Sequence, residues 1–124
     1  MSKMSKMSKV NPFLVAKKVL VKRGWCKGNR HDTDGRSCLI GAFEHNAGIS
    51  VYRFFKNDCN ESIILKKIIV KKFSDRLGID SYNGNENVRK EDEPISVIAC
   101  FNNHDKTTLS DVNNILDIAA KLYK

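Results

Sequence analysis

The sequence predicts an all-α protein, a compact orthogonal bundle of four to six helices. Three observations favour this class: apolar residues recur every three or four positions, residues that commonly cap helices precede these segments, and glycines follow them. The 124 residues fit one domain, which we expect to span 10–124. Residues 1–9 repeat Met-Ser-Lys three times and are expected to form a flexible basic arm.

The first helix is predicted over 12–23. Asn11 is a favoured cap, Pro12 suits the first helical position, and Gly24 supplies a stop. The apolar residues between them follow helical spacing, so one face of this helix should enter the core.

A long loop, residues 24–37, precedes the second helix. It is rich in Gly, Asp and Asn, and loops of this length without regular structure often carry function. Ser37 is expected to cap a short helix over about 38–46.

The longest helix is predicted over 61–77, ending before Gly78. Its apolar stripe includes Leu65 and Ile69, which we place with Leu116 at the centre of the core. Its lysines are expected to form only a solvated face: Lys66, Lys67, Lys71 and Lys72.

The remainder of the chain combines a polar loop at 79–93 with two further segments. Residues 95–101 have the β-branched content of a short strand, but Pro94 and the lack of a partner strand favour a helix. A capping box beginning at Thr108 predicts a last helix over 109–122.

Positive charge is concentrated at the N-terminus. Residues 1–30 carry a net charge of +9 and no acidic residue, whereas the other 94 residues carry −1. Such asymmetry indicates an anionic partner such as a nucleotide or a nucleic acid. The alternative is that the positive charge reflects amino-acid composition and no partner. Lys, Asn and Ile are abundant throughout the chain, as in proteins translated from AT-rich genes.

The cysteines are spaced too irregularly for a disulfide framework: Cys26, Cys38, Cys59 and Cys100. Free thiols indicate a reducing compartment, so we expect a cytoplasmic protein, in the host cytoplasm if a phage encodes it. The N-terminus lacks the apolar region of a secretory signal, and no segment approaches the ~18 apolar residues of a membrane span. No membrane association is predicted.

Three motifs resemble a family of small uncharacterised proteins from bacteria and their phages. They are Gly24-Trp25, then Cys38-Leu39-Ile40-Gly41-Ala42, then Phe101-Asn102-Asn103 before the last helix. The family pattern ends in aromatic-Asn-Asp, so this chain departs from it at Asn103, with Asp105 following closely. The resemblance covers most of 10–122 and implies a shared fold and a phage context.

The predicted binding site centres on Trp25, which lies among basic residues in the long loop. An aromatic ring there could stack on a base while the cations meet phosphate. The alternative is that Trp25 closes the end of the bundle. The predicted ligand-binding residues are Lys22, Arg23, Trp25, Lys27, Arg30, Arg36, Asn102 and Asn103.

A catalytic site is the rival interpretation. Cys38 in the first turn of a helix would have a lowered pKa, and His31, His45 or His104 could act as its base. A packed structural thiol is the simpler reading. Cys26, His31, Cys38 and His45 also carry zinc-binding atoms, but their spacing is irregular, so neither a metal nor a cofactor is predicted.

The leading functional hypothesis is a non-enzymatic binding protein of phage or mobile-element type. Its ligand would be a nucleotide or a nucleic acid, and its role would be to counteract host defence. The alternatives are a cysteine-dependent hydrolase or transferase using Cys38, and a plain interaction module for a host protein. A second copy of the chain is a further candidate partner, which would give a homo-oligomer.

Overall fold

The computed structural model describes residues 11–29, 31–43, 59–80 and 82–123. These residues form five α-helices and a two-stranded antiparallel sheet. In chain order the elements are α1 Pro12–Arg23, α2 Leu39–Ala42, α3 Asn60–Lys72, a 3-10 turn Ser74–Arg76, β1 Gly78–Asp80, β2 Asn85–Val88, α4 Pro94–Asn103 and α5 Leu109–Leu122. None of these helices is both long enough and apolar enough to span a bilayer.

The core lies among the four longer helices. α1 packs on α5, α3 packs on both α4 and α5, and the short α2 contacts α1 and α4. The three residues predicted for its centre, Leu65, Ile69 and Leu116, are fully buried. Phe13 on α1 makes edge-to-face contacts with Phe43 and Tyr123, at centroid distances of 5.8 and 5.7 Å.

The first and last helices begin and end where their caps predict. Asn11 Oδ1 accepts a hydrogen bond from the Phe13 amide at 3.1 Å, and Gly24, with φ at +91°, follows the last turn of α1. Thr108 and Asp111 form the reciprocal bonds of a capping box at the start of α5.

The ambiguous segment at 95–101 is helical. It belongs to α4, which starts at Pro94, and its β-branched residues Val97 and Ile98 are fully buried. Tertiary packing therefore overrides their strand preference.

Two helices are shorter than predicted. α2 is capped by Cys38 rather than Ser37 and ends at Ala42, and the end of the predicted helix beyond Phe43 lies outside the described residues. α3 ends at Lys72 rather than at 77, and a 3-10 turn follows it. The predicted solvated face of α3 also needs one correction, because Lys66 Nζ donates to the Asp92 carbonyl at 2.6 Å.

The all-α prediction holds for most of the described residues but needs correction at 79–93, where a polar loop was predicted. A small antiparallel hairpin begins at Gly78 and occupies much of that segment, so the fold is mostly helical with a two-stranded sheet. The Asn83-Gly84 turn signal lies between its strands, with Gly84 at φ +73°. The composition was misleading because Asp80, which a polar loop would expose, is buried in this hairpin.

Arg76 links the end of α3 to the start of α5. Its Nη1 donates to Asp111 Oδ2 at 2.9 Å and to Thr107 Oγ1 at 3.2 Å. Burial would raise the pKa of Asp111, but hydrogen bonds from Arg76 and Thr108 lower it below its usual value. The Asp111 carboxylate therefore stabilises the folded state in its ionised form.

We expect Asp111→Asn to reduce the free energy of unfolding at pH 7 by about 1–2 kcal/mol. Because the folded pKa is below the unfolded value of about 3.9, the stabilisation is present above roughly pH 4 and is lost as pH falls through the folded pKa. Urea unfolding at pH 7 and at pH 2.5 measures the difference. Asp117→Asn is the control, since Asp117 forms a more exposed pair with Lys17. If Asp111→Asn reduces the free energy of unfolding by the same amount at both pH values, the prediction is wrong.

Candidate functional site

Two short bridges close the long loop between α1 and α2. The Cys26 amide donates to the Ser37 carbonyl at 3.0 Å, and the Ser37 amide donates to the Gly24 carbonyl at 2.9 Å. Trp25 and His31 form isolated β-bridges with Ser37. The loop therefore has an ordered base that brings the end of α1 beside the start of α2.

Asn102, near the end of α4, joins that base to the core. Its Oδ1 accepts hydrogen bonds from Trp25 Nε1 at 2.7 Å and from the Leu39 amide at 3.0 Å. Its Nδ2 donates to the Cys26 carbonyl at 3.2 Å and to Asn103 Oδ1 at 3.0 Å. A carboxamide has two donor and two acceptor positions, so Asn102 is saturated within the protein.

Asn103 continues the network to the hairpin. Its Oδ1 accepts from the Gly28 amide at 2.7 Å, and its Nδ2 donates to Asp80 Oδ1 at 3.1 Å and Oδ2 at 3.4 Å. Asp80 Oδ2 also accepts from Asn83 Nδ2 at 2.6 Å. Asp80 is only 1% exposed, so these two carboxamides satisfy a buried carboxylate.

A cavity of about 410 Å³ lies beside this network, and we name it the carboxamide cavity. Its volume is within the range of small-molecule sites, roughly 300–1,000 Å³. Its wall is uncharged wherever described residues form it. The lining consists of Gly28, Asn29, Cys38, Ile40, Asn83, Ile95, Ser96, Ala99, Asn102 and Asn103.

Gly28 is required at the rim of the cavity. Its φ is +87°, and a Cβ added there would overlap the ring of Tyr82. The hairpin turn carrying Tyr82 and Asn83 therefore packs directly on the backbone of the long loop. This close approach fixes the distance between two sides of the lining.

Four of the predicted ligand-binding residues meet in this region. Trp25, Asn102 and Asn103 belong to the network, and Lys27 Nζ lies 5.5 Å from the centre of the Trp25 ring. Lys27 Nζ also donates to the His104 carbonyl at 2.5 Å, just beyond α4. Trp25 is partly buried against the core, which favours its role in closing the end of the bundle.

The other predicted cations are outside the described lining. Lys22 and Arg23 are exposed at the end of α1, and Arg30 lies outside the described residues. Arg36 Nε donates to Asp32 Oδ2 at 2.6 Å. Burial would raise the pKa of Asp32, but hydrogen bonds from the Arg36 amide and guanidinium lower it below its usual value. Arg36 is therefore engaged in an ion pair within the loop.

Cys38 lines the cavity in a different setting from the predicted one. It caps α2 instead of lying in the first turn, and its Sγ accepts from the Gly41 amide at 3.3 Å.

Cys26 Sγ donates to the Asn29 carbonyl at 3.3 Å. Burial raises the pKa of the Cys26 thiol to about 11, and the Asp32 carboxylate adds to the shift. Cys26 is therefore a neutral thiol at physiological pH.

The histidines considered as bases have the following partners. His31 Nδ1 lies 3.1 Å from Ser37 Oγ, and His104 Nδ1 accepts from the Lys106 amide at 3.0 Å. His45 lies outside the described residues. Within the described ranges, no group of three or more His, Cys, Asp or Glu side chains could hold a metal ion.

Three residues of this region were not predicted to belong to the site: Gly28, Asp80 and Asn83. Asn83 was visible only as half of an Asn-Gly turn signal, which predicts local geometry and not a position beside α4. No local signal indicates that Asp80 is buried, because its amide partners come from the hairpin turn and from α4.

The comparisons with known proteins bear on the family alone. The model of a family of unknown function (DUF6197) matches residues 13–122. No curated protein and no solved structure gives a significant match to the chain. The matched range runs from α1 to α5 and includes all the described residues that line the carboxamide cavity.

Proposed function

The chain belongs to DUF6197, a family of unknown function, and we propose that it binds a small nucleotide in the carboxamide cavity without chemical turnover. One observation carries the proposal: a cavity of ligand size lies beside a hydrogen-bond network that is formed within the protein. A site that is organised before the ligand arrives loses little entropy on binding.

The lining is suited to the base of a nucleotide. Ile40, Ile95 and Ala99 contribute apolar surface, and the carboxamides and Ser96 contribute polar groups. Ligand sites commonly combine apolar surface with a few fixed polar groups. Asn102 supports the wall instead of contacting the ligand, because its donors and acceptors are used within the protein. Both acceptor positions of Asn103 Oδ1 are used in the same way.

The phosphate of such a nucleotide would remain near solvent. The described lining carries no charge, and two of the predicted ligand-binding cations, Lys27 and Arg36, have protein partners. The net charge of +8 would still raise the local concentration of an anionic ligand. This arrangement favours a nucleotide over a nucleic acid, whose binding requires many free cations along one surface.

Two hypotheses from the sequence stay predictions. One is the phage or mobile-element context with a role against host defence. The other is a cysteine-dependent reaction at Cys38, for which the relevant observation is that Cys38 lines the same cavity.

Calorimetric titration at two salt concentrations tests the proposal. We expect a nucleoside monophosphate to saturate at a fixed ratio per subunit with weak salt dependence, and an oligonucleotide duplex to bind more weakly. A duplex that binds more tightly, with a log–log salt slope near −0.9 per neutralised phosphate, would instead indicate a nucleic-acid binder. If neither ligand binds more tightly than millimolar, the proposal fails.

A matched pair of variants locates the site. Ser96→Phe adds a ring to the cavity wall in the first turn of α4, and we expect it to weaken nucleotide binding at least tenfold. Ser110→Phe makes the same change at an exposed position in the first turn of α5 and should alter affinity less than twofold. If the two changes weaken nucleotide binding equally, the carboxamide cavity is not the binding site.

A further inference from the structure

Three carboxamides of the cavity, Asn83, Asn102 and Asn103, differ in what they can offer a ligand. Asn102 has both donors and both acceptors engaged. Asn103 has both acceptor positions of Oδ1 engaged, and its Nδ2 donates to the carboxylate of Asp80. Asn83 donates one Nδ2 proton to Asp80 Oδ2 at 2.6 Å, and its Oδ1 has no partner among the described residues. Asn83 therefore combines a hydrogen bond to the buried Asp80 with an acceptor that no described residue uses.

The hydrogen bond to Asp80 makes the side-chain oxygen of Asn83 a stronger acceptor than that of an ordinary surface amide. Donation from Nδ2 polarises the amide and strengthens Oδ1 as an acceptor for a further bond. Asp80 is itself held by Asn103 and is 1% exposed, so the orientation is set from within the core.

We infer that Asn83 determines ligand specificity by recognising the amino edge of an adenine ring. The inference rests on the proposed function. Asn83 Oδ1 would accept from the exocyclic amino group, and the remaining Nδ2 proton would bond to the adjacent ring nitrogen. Asparagine pairs with adenine in this bidentate manner, because the amide offers a donor and an acceptor side by side.

The apolar residues of the lining fit the same ligand. Ile40, Ile95 and Ala99 can contact the face of a purine while the hairpin turn contacts its edge. The position of Asn83 depends on the contact between Tyr82 and Gly28, which holds the turn against the long loop. The recognising amide is therefore positioned on two sides, by a buried carboxylate and by an aromatic contact.

The test compares two ligands that differ in one group. We expect adenosine monophosphate to bind the wild-type protein at least tenfold more tightly than purine riboside monophosphate, which lacks the amino group. Calorimetry gives the affinities, and fluorescence of Trp25, the only tryptophan, follows binding in parallel. This comparison needs no variant, so it holds even where a substitution impairs folding.

Asn83→Ala then tests the assigned residue. We expect its preference for the amino-bearing nucleotide to fall to within twofold. Asn87→Ala, an exposed position in the same hairpin, is the control and should keep the full preference.

The possible outcomes separate this inference from the proposed function. If both monophosphates bind equally well to the wild type, or if Asn83→Ala keeps the preference, the inference is wrong and the proposed function stands. If no nucleotide binds more tightly than millimolar, both are wrong.

Discussion

Replacing Leu65 by Ala is expected to reduce the free energy of unfolding by about 2–5 kcal/mol. Leu65 is fully buried on the face of α3 that packs on α4 and α5, so the truncation removes apolar contacts and leaves a cavity. Leu116→Ala on α5 should have an effect of the same size, because that side chain is also fully buried.

Urea unfolding followed by circular dichroism measures both changes. Leu122→Ala is the matched control, since Leu122 is 56% exposed at the end of α5, and its effect should be within about 0.5 kcal/mol. A result in which Leu65→Ala costs no more than Leu122→Ala would mean that the buried face of α3 is wrongly assigned.

Asn102→Ala is expected to reduce the free energy of unfolding by about 3–5 kcal/mol. The change leaves Trp25 Nε1, the Leu39 amide and the Cys26 carbonyl without their present partner. Each buried polar group left unsatisfied costs about 1–3 kcal/mol, and water entering from the adjacent cavity offsets part of the sum.

The matched control is Asn114→Ala on α5, where the asparagine is exposed. There the gain in helix propensity should leave stability unchanged or slightly higher. Urea unfolding gives the stability of both variants, and Trp25 fluorescence reports the loss of its hydrogen bond. If Asn102→Ala and Asn114→Ala have the same free energy of unfolding, the network does not support the cavity structurally.

The network also explains how a small fold maintains a cavity beside its core. Asn102 and Asn103 connect the base of the long loop, the start of α2 and the hairpin to one end of α4. These segments meet through side chains of adjacent residues on a single helix. A ligand entering the cavity would therefore contact surfaces whose separation is already set.

Helix ends with local signals were predictable from the sequence. α1 and α5 match their predicted ranges because Asn11, Pro12 and the capping box at Thr108 act on residues only two or three positions away. The buried positions Leu65, Ile69 and Leu116 were predictable for a similar reason, since helical periodicity fixes which residues share a face.

Elements without a local signal were decided by tertiary contacts. α3 stops at Lys72 and is followed by a 3-10 turn, and Arg76 at the end of that turn bonds to Asp111 and Thr107 near the start of α5. The hairpin was hidden because its strands are short and polar, and its burial of Asp80 depends on Asn103 in a distant helix.

The predominantly helical class, the two well-capped helices and the central core residues follow from local sequence, because each depends on residues within one or two helical turns. The polar residues of the candidate site come together through long-range contacts. Asn102 and Asn103 were predicted to contact the ligand, yet the fold uses their hydrogen bonds internally, while Asn83 Oδ1 has no partner among the described residues. Whether a polar group is available to a ligand depends on hydrogen-bond partners that lie tens of residues away in the sequence. No local pattern encodes those partners.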